Sequence, residues 1–466
     1  MSPNTLVAGS FRDPAGQVHK WRNRVFRTVL GPGAAAFDAV RATGFLDRLV
    51  AEGRLVPFTH VVDKDILQEF PDATCVLEHP RLQAISYPYE WSFRQLKAAA
   101  LLHLDIALDA LGADLVLSDA TAYNVQFVGP RPIFIDHLSF RPYRMGEYWA
   151  AHQQFCEQFL NPLLLRSQLG IPHNAWFRGS LEGIPSEYLA RILPHRARLS
   201  FRMNVHVFLP AYFQKGTQRD ALGPAAAPRT KGLSRSGFEG LLKQLRRWIA
   251  ALKPADTNPS LWGDYAEANS YADAETRAKG EVVRSFVATR KPALMLDLGC
   301  NSGYYSEIAI EAGAGTVLGF DFDQTSLDKA FQRAIDRDLQ FVPLFLDAAN
   351  PSPSQGWAES EREGFSKRML GDSVIALAFI HHLAIGKNIP LQQAVSWIVE
   401  RARSGLIEFV PKSDPTVQAM LKHREDIFPD YTPEAFSACL SRCARIVASK
   451  TVSGTGRTIY EFVRED

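Results

Sequence analysis

One stretch, from Ala293 to Asp323, restricts the fold of this chain more than any other. It begins with an apolar run from Leu294 to Leu298, as expected of a strand covered on both faces. A glycine-containing turn follows, then a segment with helical spacing, then a second apolar run that ends on Asp321. This order predicts the first unit of a doubly wound α/β sheet, with a ligand crevice at the carboxyl ends of its strands.

The turn after the first predicted strand limits which ligand the crevice can hold. It contains Gly299, Asn301 and Gly303, and Asp297 stands just before it. The two glycines let the backbone approach a ligand where a side chain would block it. A dinucleotide fingerprint G-x-G-x-x-G would need glycine at the position of Asn301 to make room for a pyrophosphate. The sequence therefore argues against a nicotinamide dinucleotide, although a glycine turn in an unrelated α/β sheet stays possible.

The pattern D-x-G-x-x-x-G in this turn resembles the first motif of class I S-adenosylmethionine-dependent methyltransferases. The resemblance implies that Asp297 helps to hold the methionine amino group. It also implies that the turn, including Gly299, Asn301 and Gly303, contacts the methionine end and that Asp321 binds both ribose hydroxyls. An aminoacyl sulfonium ligand has no phosphates, so carboxylates and backbone suit it better than a phosphate cradle.

The elements after the crevice follow the order of the same family to the end of the chain. The sequence predicts a third strand over Phe341–Leu346, a helix over Ser354–Leu370, a fourth strand over Asp372–Phe379 and a fifth over Gly405–Val410, followed by a terminal antiparallel hairpin. These elements predict a Rossmann-like, seven-stranded sheet. The resemblance also implies that Asp347, after the third strand, accepts a hydrogen bond from the adenine amino group.

Two adjacent histidines, His381 and His382, follow the fourth predicted strand. Methyl transfer is an in-line displacement at carbon, and a hydroxyl acceptor must also lose its proton. A histidine with a pKa near neutrality can take that proton, so His382 or His381 is the candidate general base. Packing at the strand end or contact with the cofactor is the alternative. Two histidines with Glu408 would suggest a metal site, but the acid-rich ligand set of such sites is missing, and no metal is expected.

Two tyrosines precede a helix predicted over Ala274–Thr289. In many methyltransferases the segment before the first strand folds over the cofactor. Tyr265 and Tyr271 are therefore candidate lid residues, of which Tyr265 is assigned to the cofactor site, and simple packing is the alternative.

The first half of the chain carries two acids and an asparagine in a defined spacing. An amphipathic helix over Arg94–Leu111 precedes Asp119-x-x-x-x-Asn124, and apolar segments then lead to Asp136. This arrangement resembles the catalytic core of protein-kinase-like folds, including small-molecule kinases. The resemblance implies that Asp119 is the base, and that Asn124 and Asp136 are metal ligands at a nucleotide site.

The match to kinases is incomplete. Val116 stands where protein kinases have histidine, and His137 with the following leucine replaces the expected Phe-Gly. Residues 1–90 contain no glycine-rich phosphate loop, and neither Lys20 nor Lys64 is a convincing strand lysine. We expect a degenerate kinase-like α+β domain. Its three polar residues cap turns in a structural module, bind a nucleotide or small molecule, or take part in phosphoryl transfer.

Length and local composition predict the domain organisation. A chain of 466 residues is long enough for two or more domains, each with its own core. A stretch rich in glycine, alanine, proline and basic residues near the middle is typical of a linker, and the basic amphipathic helix after it is expected to have a solvated charged face. The predicted parts are a kinase-like domain over 1–215, a linker with the basic helix over 216–258, and a methyltransferase domain over 259–466.

Charge and hydropathy exclude several partners. The net charge of +2 implies no strong nucleic-acid-binding field. The start of the chain lacks the apolar core of a signal peptide, and no apolar run is long enough to span a bilayer. The five cysteines are scattered, which suits a reducing cytoplasm.

Several segments, among them YPYEWSF, DATAYNVQF, IDHLSF and EFVPKSDP, resemble a family of rhizobial nodulation proteins and related bacterial proteins over nearly the whole chain. That resemblance defines no substrate. The sequence as a whole predicts an S-adenosylmethionine-dependent methyltransferase that acts on an unidentified acceptor, with a small molecule or a glycan favoured. The alternatives are a Rossmann dehydrogenase, a bifunctional or regulatory protein whose kinase-like domain binds Mg-ATP, and a non-catalytic adaptor.

Overall fold

The computed structural model of this chain describes residues 4–212, 232–256, 270–422 and 424–465, and of residues 270–273 it describes the backbone alone. An α+β half precedes an α/β half along the chain, and the helix Arg235–Ala251 lies between them in sequence. Among the described helices, none is both long enough and apolar enough to span a lipid bilayer.

The described part of the first half contains nine strands: β1 (Thr5–Leu6), β2 (Gly16–Trp21), β3 (Arg24–Leu30), β4 (Thr59–His60), β5 (Ala73–His79), β6 (Leu115–Leu117), β7 (Val125–Val128), β8 (Arg131–Phe134) and β9 (Phe140–Pro142). The first five form an antiparallel sheet with the order β1-β2-β3-β5-β4. Two further antiparallel pairs, β6 with β9 and β7 with β8, follow the long helix of this half.

The helices of the first half span Gly31–Ala42, Phe45–Ala51, Lys64–Leu67, Phe93–Gly112, His152–Phe155, Asn161–Leu169, Asn174–Gly179, Ser186–Ile192 and Phe201–Met203, with π-helical turns at Cys156–Leu160 and Asn204–Phe208. The long helix Phe93–Gly112 begins with a capping box between Ser92 and Gln95. It is the amphipathic helix that the sequence predicts before the two acids.

The second half is built on seven strands: β10 (Leu294–Leu298), β11 (Thr316–Asp321), β12 (Phe341–Phe345), β13 (Gly371–Ala376), β14 (Ala402–Phe409), β15 (Arg445–Thr451) and β16 (Thr458–Val463). They form one sheet with the order β12-β11-β10-β13-β14-β16-β15. β10 to β14 are parallel, and β16 is antiparallel to both of its neighbours. The Rossmann-like sheet with a terminal antiparallel hairpin is confirmed. Its strand order reverses at β10, which places a crevice at the carboxyl end of this strand.

The helices of the second half span Ser270–Arg290, Tyr304–Glu311, Gln324–Asp336, Phe365–Arg368, Ile380–Ala384, Leu391–Val399, Pro415–Leu421 and Pro433–Cys443. Alternate residues of the central strands face opposite cores, because successive side chains of a strand point to opposite faces. Leu296 and Leu318 belong to one apolar cluster, whereas Met295 and Val317 belong to another. Both faces of the sheet are therefore covered.

The predicted helix over Ser354–Leu370 is wrong. Gly356 and Ala358 have positive φ values of 83° and 52°, and only a 3-10 turn at Trp357–Glu359 and the short helix Phe365–Arg368 form there. Contacts with the first half hold this segment instead: Arg12 forms an ion pair with Glu361 at 2.8 Å. The conformation of this segment depends on contacts with residues far away in the chain, so the local spacing of apolar residues does not predict it.

The two halves share one apolar core, which contains residues from both sheets. The Asp328 carboxylate accepts a hydrogen bond from the backbone N–H of Arg94 at 2.9 Å and pairs with Arg166 at 3.1 Å. The helix Arg235–Ala251 buries its apolar face, including Phe238, against the helix Phe93–Gly112. The domain boundaries remain a prediction. The two halves pack directly against each other.

Candidate functional site

The glycine turn after β10 folds back onto the end of β11. The backbone N–H groups of Gly299 and Cys300 both donate to the carbonyl oxygen of Phe320, at 2.8 and 3.0 Å. Gly299 and Gly303 have φ values of 82° and 79°, in the left-handed region that favours glycine. A Cβ at Gly303 would also lie 2.5 Å from the ring of Phe341. The chain therefore needs glycine here both for its backbone conformation and for packing.

Asp321 links this turn to the end of β11. Its carboxylate accepts hydrogen bonds from the backbone N–H groups of Asn301 and Asp323, each at 2.8 Å. Burial raises the pKa of Asp321, and these two hydrogen bonds oppose the rise. The predicted ribose-binding carboxylate is thus held in a fixed orientation at the crevice, and Asn301 is part of its support.

Asp297 is the most deeply buried carboxylate of the crevice, with 2 % of its surface exposed. The hydroxyl of Ser306 donates to it at 2.6 Å. Burial, and then the charge of Asp321, raise the pKa of Asp297 to about 7, although the Ser306 hydrogen bond lowers it. Within the described ranges, no basic side chain forms an ion pair with Asp297. A cationic ligand group beside it would supply the missing compensation.

Asp347 follows β12 and is half-buried, and its carboxylate accepts a hydrogen bond from the backbone N–H of Ala349 at 3.1 Å. Phe322, which follows Asp321, has 62 % of its surface exposed and packs against Phe345 with ring centroids 5.6 Å apart. Sequence analysis did not single out Phe322. An aromatic residue directly after a strand-end acid is the signal that would have found it.

His381 and His382 lie in the short helix Ile380–Ala384 after β13, with ring centroids 4.2 Å apart. His381 is buried, and neither of its ring nitrogens has a hydrogen-bond partner. Burial, followed by the neighbouring His382 and Arg457, lowers the pKa of His381 well below its ordinary value. His382 is half-buried, and burial lowers its pKa as well. Both imidazoles are therefore neutral at neutral pH, which is the form that can accept a proton.

Glu408 lies at the end of β14 beside these histidines and is fully buried. One carboxylate oxygen accepts a hydrogen bond of 2.7 Å from the backbone N–H of Ala378, which has a positive φ of 48°. The other lies 2.8 Å from the ammonium of Lys279 in the helix Ser270–Arg290. Glu408 thus fixes the backbone just before the histidines and ties that helix to the sheet.

Arg457 extends this buried ionic network. Its guanidinium forms two hydrogen bonds with Asp414, at 2.7 and 2.8 Å, and lies 3.3 Å from Glu275. Burial alone would raise the pKa of Asp414, but the hydrogen bonds from Arg457 and Thr455 lower it well below the usual range. Sequence analysis missed this network because its members are far apart in the chain.

The predicted lid residues are not placed. Tyr265 lies outside the described residues. Tyr271 lies in the helix Ser270–Arg290, but its side chain is outside the described set. Both assignments stay predictions.

In the first half, the three predicted polar residues come together. The side-chain amide of Asn124 donates to Asp119 at 3.1 Å and to Asp136 at 3.3 Å. Arg27 of β3, which sequence analysis did not single out, forms a buried ion pair with Asp136 at 2.8 Å. Burial, and then the charge of Asp136, raise the pKa of Asp119. The cluster combines two carboxylates with one guanidinium.

The chain is similar to one curated protein over almost its full length. It is 49 % identical over 461 residues to "Nodulation protein NoeA" of Rhizobium meliloti strain 1021, covering 99 % of this chain and 96 % of that protein. No family model matches the chain.

Solved structures match less than half of the chain. N-methyltransferase NodS from Bradyrhizobium japonicum WM9, in complex with S-adenosyl-L-homocysteine, is 13 % identical with a TM-score of 0.32, over 45 % of this chain and 94 % of that one. Magnesium protoporphyrin IX methyltransferase ChlM from Synechocystis PCC 6803, with bound SAH, is 20 % identical with a TM-score of 0.30, over 43 % and 89 %. TM-scores of this size carry no argument, so the fold assignment depends on the sheet topology.

Proposed function

We propose that this chain, which belongs to the family of the nodulation protein NoeA, is an S-adenosylmethionine-dependent methyltransferase. The observation that carries the proposal is the set of acids at the carboxyl ends of three adjacent parallel strands. Asp297 lies in β10, Asp321 ends β11 and Asp347 follows β12, and the turn between the first two bends through left-handed glycines. Such a crevice offers carboxylates and backbone groups rather than a phosphate cradle.

The chemistry of the donor set fits this cofactor. Asp297 is buried without a cationic partner among the described residues, and the methionine ammonium would supply one. Asp321 is oriented by two backbone N–H groups and would accept hydrogen bonds from the ribose hydroxyls. Asp347 would accept from the adenine amino group. The proposed cofactor residues are Asp297, Gly299, Asn301, Gly303, Asp321 and Asp347, together with Tyr265.

When bound, S-adenosylmethionine supplies a methyl group activated by its sulfonium sulfur. The residues of this chain hold the cofactor so that an acceptor atom can approach in line with the carbon–sulfur bond. In-line transfer of the methyl group to the acceptor would leave S-adenosylhomocysteine as the product. A hydroxyl acceptor gives its proton to a neutral imidazole. His382 is the first candidate because it is more exposed than His381, which remains the second.

The acceptor we propose is a small molecule or a glycan. The near-balanced net charge of +2 supports neither nucleic acid nor an anionic membrane surface as the acceptor. The strand that precedes the histidines also lacks the N/D-P-P-Y pattern of enzymes that methylate amino groups of adenine or glutamine.

Calorimetric titration of the full-length protein with S-adenosylhomocysteine, S-adenosylmethionine, NAD and Mg-ATP tests the class. We expect binding of the two sulfur ligands and no binding of NAD. Binding of NAD alone would make the protein a dehydrogenase. Absence of binding by both sulfur ligands would favour a non-catalytic adaptor.

A second candidate function concerns the first half. The contacts of Asn124 with Asp119 and Asp136 support a kinase-like site that binds Mg-ATP. Arg27 occupies one oxygen of Asp136, so a metal ion would have to share or displace that ion pair. If the site works, Mg-ATP binds the full-length protein and Asp136→Asn abolishes this binding while leaving S-adenosylhomocysteine binding unchanged.

A further inference from the structure

Three metal-ligating side chains meet in the first half of the chain, on two segments that each contain a π-helical turn. His152 and Cys156 lie one turn apart on one segment, where Cys156 begins the turn Cys156–Leu160. His206 lies within the turn Asn204–Phe208 of the other. π-Helical turns are rare and occur often at functional sites. None of these residues belongs to the crevice or to the kinase-like cluster.

The distances within this trio suit a single small cation. Cys156 Sγ lies 3.6 Å from His152 Nε2, and His152 Nε2 lies 2.9 Å from His206 Nδ1. One ligand atom from each residue lies within 4.8 Å of the other two. Tetrahedral zinc, with bonds of about 2.0 Å to nitrogen and 2.3 Å to sulfur, separates its ligand atoms by about 3.3–3.6 Å. The Cys156–His152 distance already fits, and the two imidazole nitrogens need to part by about 0.4 Å. Cys156 and His206, whose ligand atoms lie within 4.8 Å, need to approach by about 1.2 Å at most.

The three candidate ligands lie in a largely buried, aromatic environment. Cys156 and His206 are buried, and the rings of Trp149 and Trp248 lie beside the two histidines. His152 Nε2 and His206 Nδ1 share one hydrogen bond; a cation between them would replace it, with each ring carrying its proton on the other nitrogen. The Cys156 sulfur would bind the cation as a thiolate, the form that the positive charge of the cation stabilises.

We propose that His152, Cys156 and His206 form a binding site for a borderline-soft divalent cation such as zinc. Two imidazoles and one thiolate provide three ligands, and the fourth position is left for water or another small ligand. The expectation of no metal, drawn from sequence alone, considered only Glu408 with the two adjacent histidines. A metal here would fasten the segment around His206 to the helical segment that contains His152.

Cobalt(II) titration of the full-length, chelator-treated protein tests this site directly. We expect one equivalent of Co²⁺ to bind, with a thiolate-to-cobalt charge-transfer band in the near ultraviolet and strong visible bands of tetrahedral cobalt. Cys156→Ser should lose the charge-transfer band, and His206→Asn should weaken binding at least about tenfold, the lower limit for losing even a second-shell partner. Cys75→Ser, which changes a half-buried cysteine of β5, should leave the spectrum unchanged.

The wild-type titration decides the question even if a variant does not fold. Absence of the cobalt spectrum at saturating Co²⁺ would show that the trio is a hydrogen-bonded pair of neutral histidines beside a thiol. Persistence of the charge-transfer band in Cys156→Ser would place the metal elsewhere. Zn²⁺ should also raise the Tm of the wild-type protein and of Cys75→Ser by more than that of His206→Asn, because a ligand that binds only the folded state stabilises it more the tighter it binds.

Discussion

The carboxylate of Asp321 accepts a hydrogen bond of 2.8 Å from the backbone N–H of Asn301, twenty residues earlier in the chain. The end of β11 and the turn after β10 are therefore one unit. A change at Asp321 alters both the carboxylate that faces the ligand and the backbone of the turn. A substitution that tests ligand binding at Asp321 must therefore preserve the hydrogen bond that holds the turn.

Asp321→Asn is the sharper test of the ribose assignment, because the amide oxygen can keep the bond from Asn301. We expect an affinity for S-adenosylhomocysteine lower by about ten- to a hundredfold, since a hydrogen bond to a charged group contributes about 1.5–3 kcal/mol. Calorimetry gives the affinity and circular dichroism reports folding. Asp338→Asn, which removes an acid from an exposed ion pair with Arg131, is the matched control. Wild-type affinity in Asp321→Asn would remove Asp321 from the cofactor site.

Asp297 should make the folded protein less stable as the pH rises. Its pKa is raised to about 7 in the folded protein, whereas an unfolded aspartate titrates near 3.9. Between these values the folded state binds more protons, so the free energy of unfolding falls as pH rises from about 4 to 7. Asp297→Asn removes this cost, and we expect it to raise the Tm of the ligand-free protein at pH 8 more than at pH 5.

The same substitution tests the function of Asp297. Because a ligand ammonium would compensate the carboxylate, Asp297→Asn should weaken S-adenosylhomocysteine binding while it stabilises the free protein at pH 8. Thermal unfolding with and without the ligand measures both effects. A variant with unchanged Tm at both pH values and unchanged ligand affinity would contradict the assignment.

His382 should affect turnover rather than cofactor binding. If it is the base, His382→Asn lowers kcat for a hydroxyl acceptor by about a hundredfold or more, the usual contribution of general-base catalysis. Its lowered pKa also predicts a rate that is constant above pH 7 and falls only on the acidic side. Release of S-adenosylhomocysteine in the presence of candidate small molecules and glycans measures the rate. His381→Asn is the companion variant. If kcat is unchanged in His382→Asn and lowered in His381→Asn, the general base is His381 and not His382.

Arg457 should be important for stability. Its removal leaves Glu275, Glu408 and Asp414 with Lys279 as the remaining cation of the buried network. Breaking a buried ion pair costs about 3–5 kcal/mol, so Arg457→Ala should lower the free energy of urea unfolding by that amount.

The matched control for this prediction is Arg445→Ala, because Arg445 forms an exposed ion pair with Glu465 at 3.5 Å. Exposed pairs contribute about 0–1 kcal/mol, so this variant should unfold almost like the wild-type protein. Equal effects of the two substitutions would show that the buried network does not stabilise the fold.

The sequence predicted the β10–β11 unit because each part of it is local. The apolar run Leu294–Leu298, the two glycines and the strand-end Asp321 are all visible within thirty residues. The segment Ser354–Leu370 was mispredicted because Arg12 and Glu90 of the other half hold it through Glu361 and Arg368. Hydrophobic periodicity within a segment gives no information about such long-range contacts.

The ionic network and the metal-ligating trio were missed for a related reason. Glu408 and Arg457 meet only because β16 inserts beside β14 in the sheet. His152 and Cys156 have a helical spacing, but the third member, His206, lies fifty residues further on. Sequence shows the types of these residues, and only the fold brings them together.

The most direct test of the central claim is a crystal structure of the full-length protein grown with S-adenosylhomocysteine. The account predicts the ligand at the carboxyl ends of β10 and β11, with the Asp321 carboxylate within hydrogen-bond distance of both ribose hydroxyls and the ligand ammonium beside Asp297. A ligand bound elsewhere, or a crevice in which Asp321 makes no contact with the ribose, would contradict it.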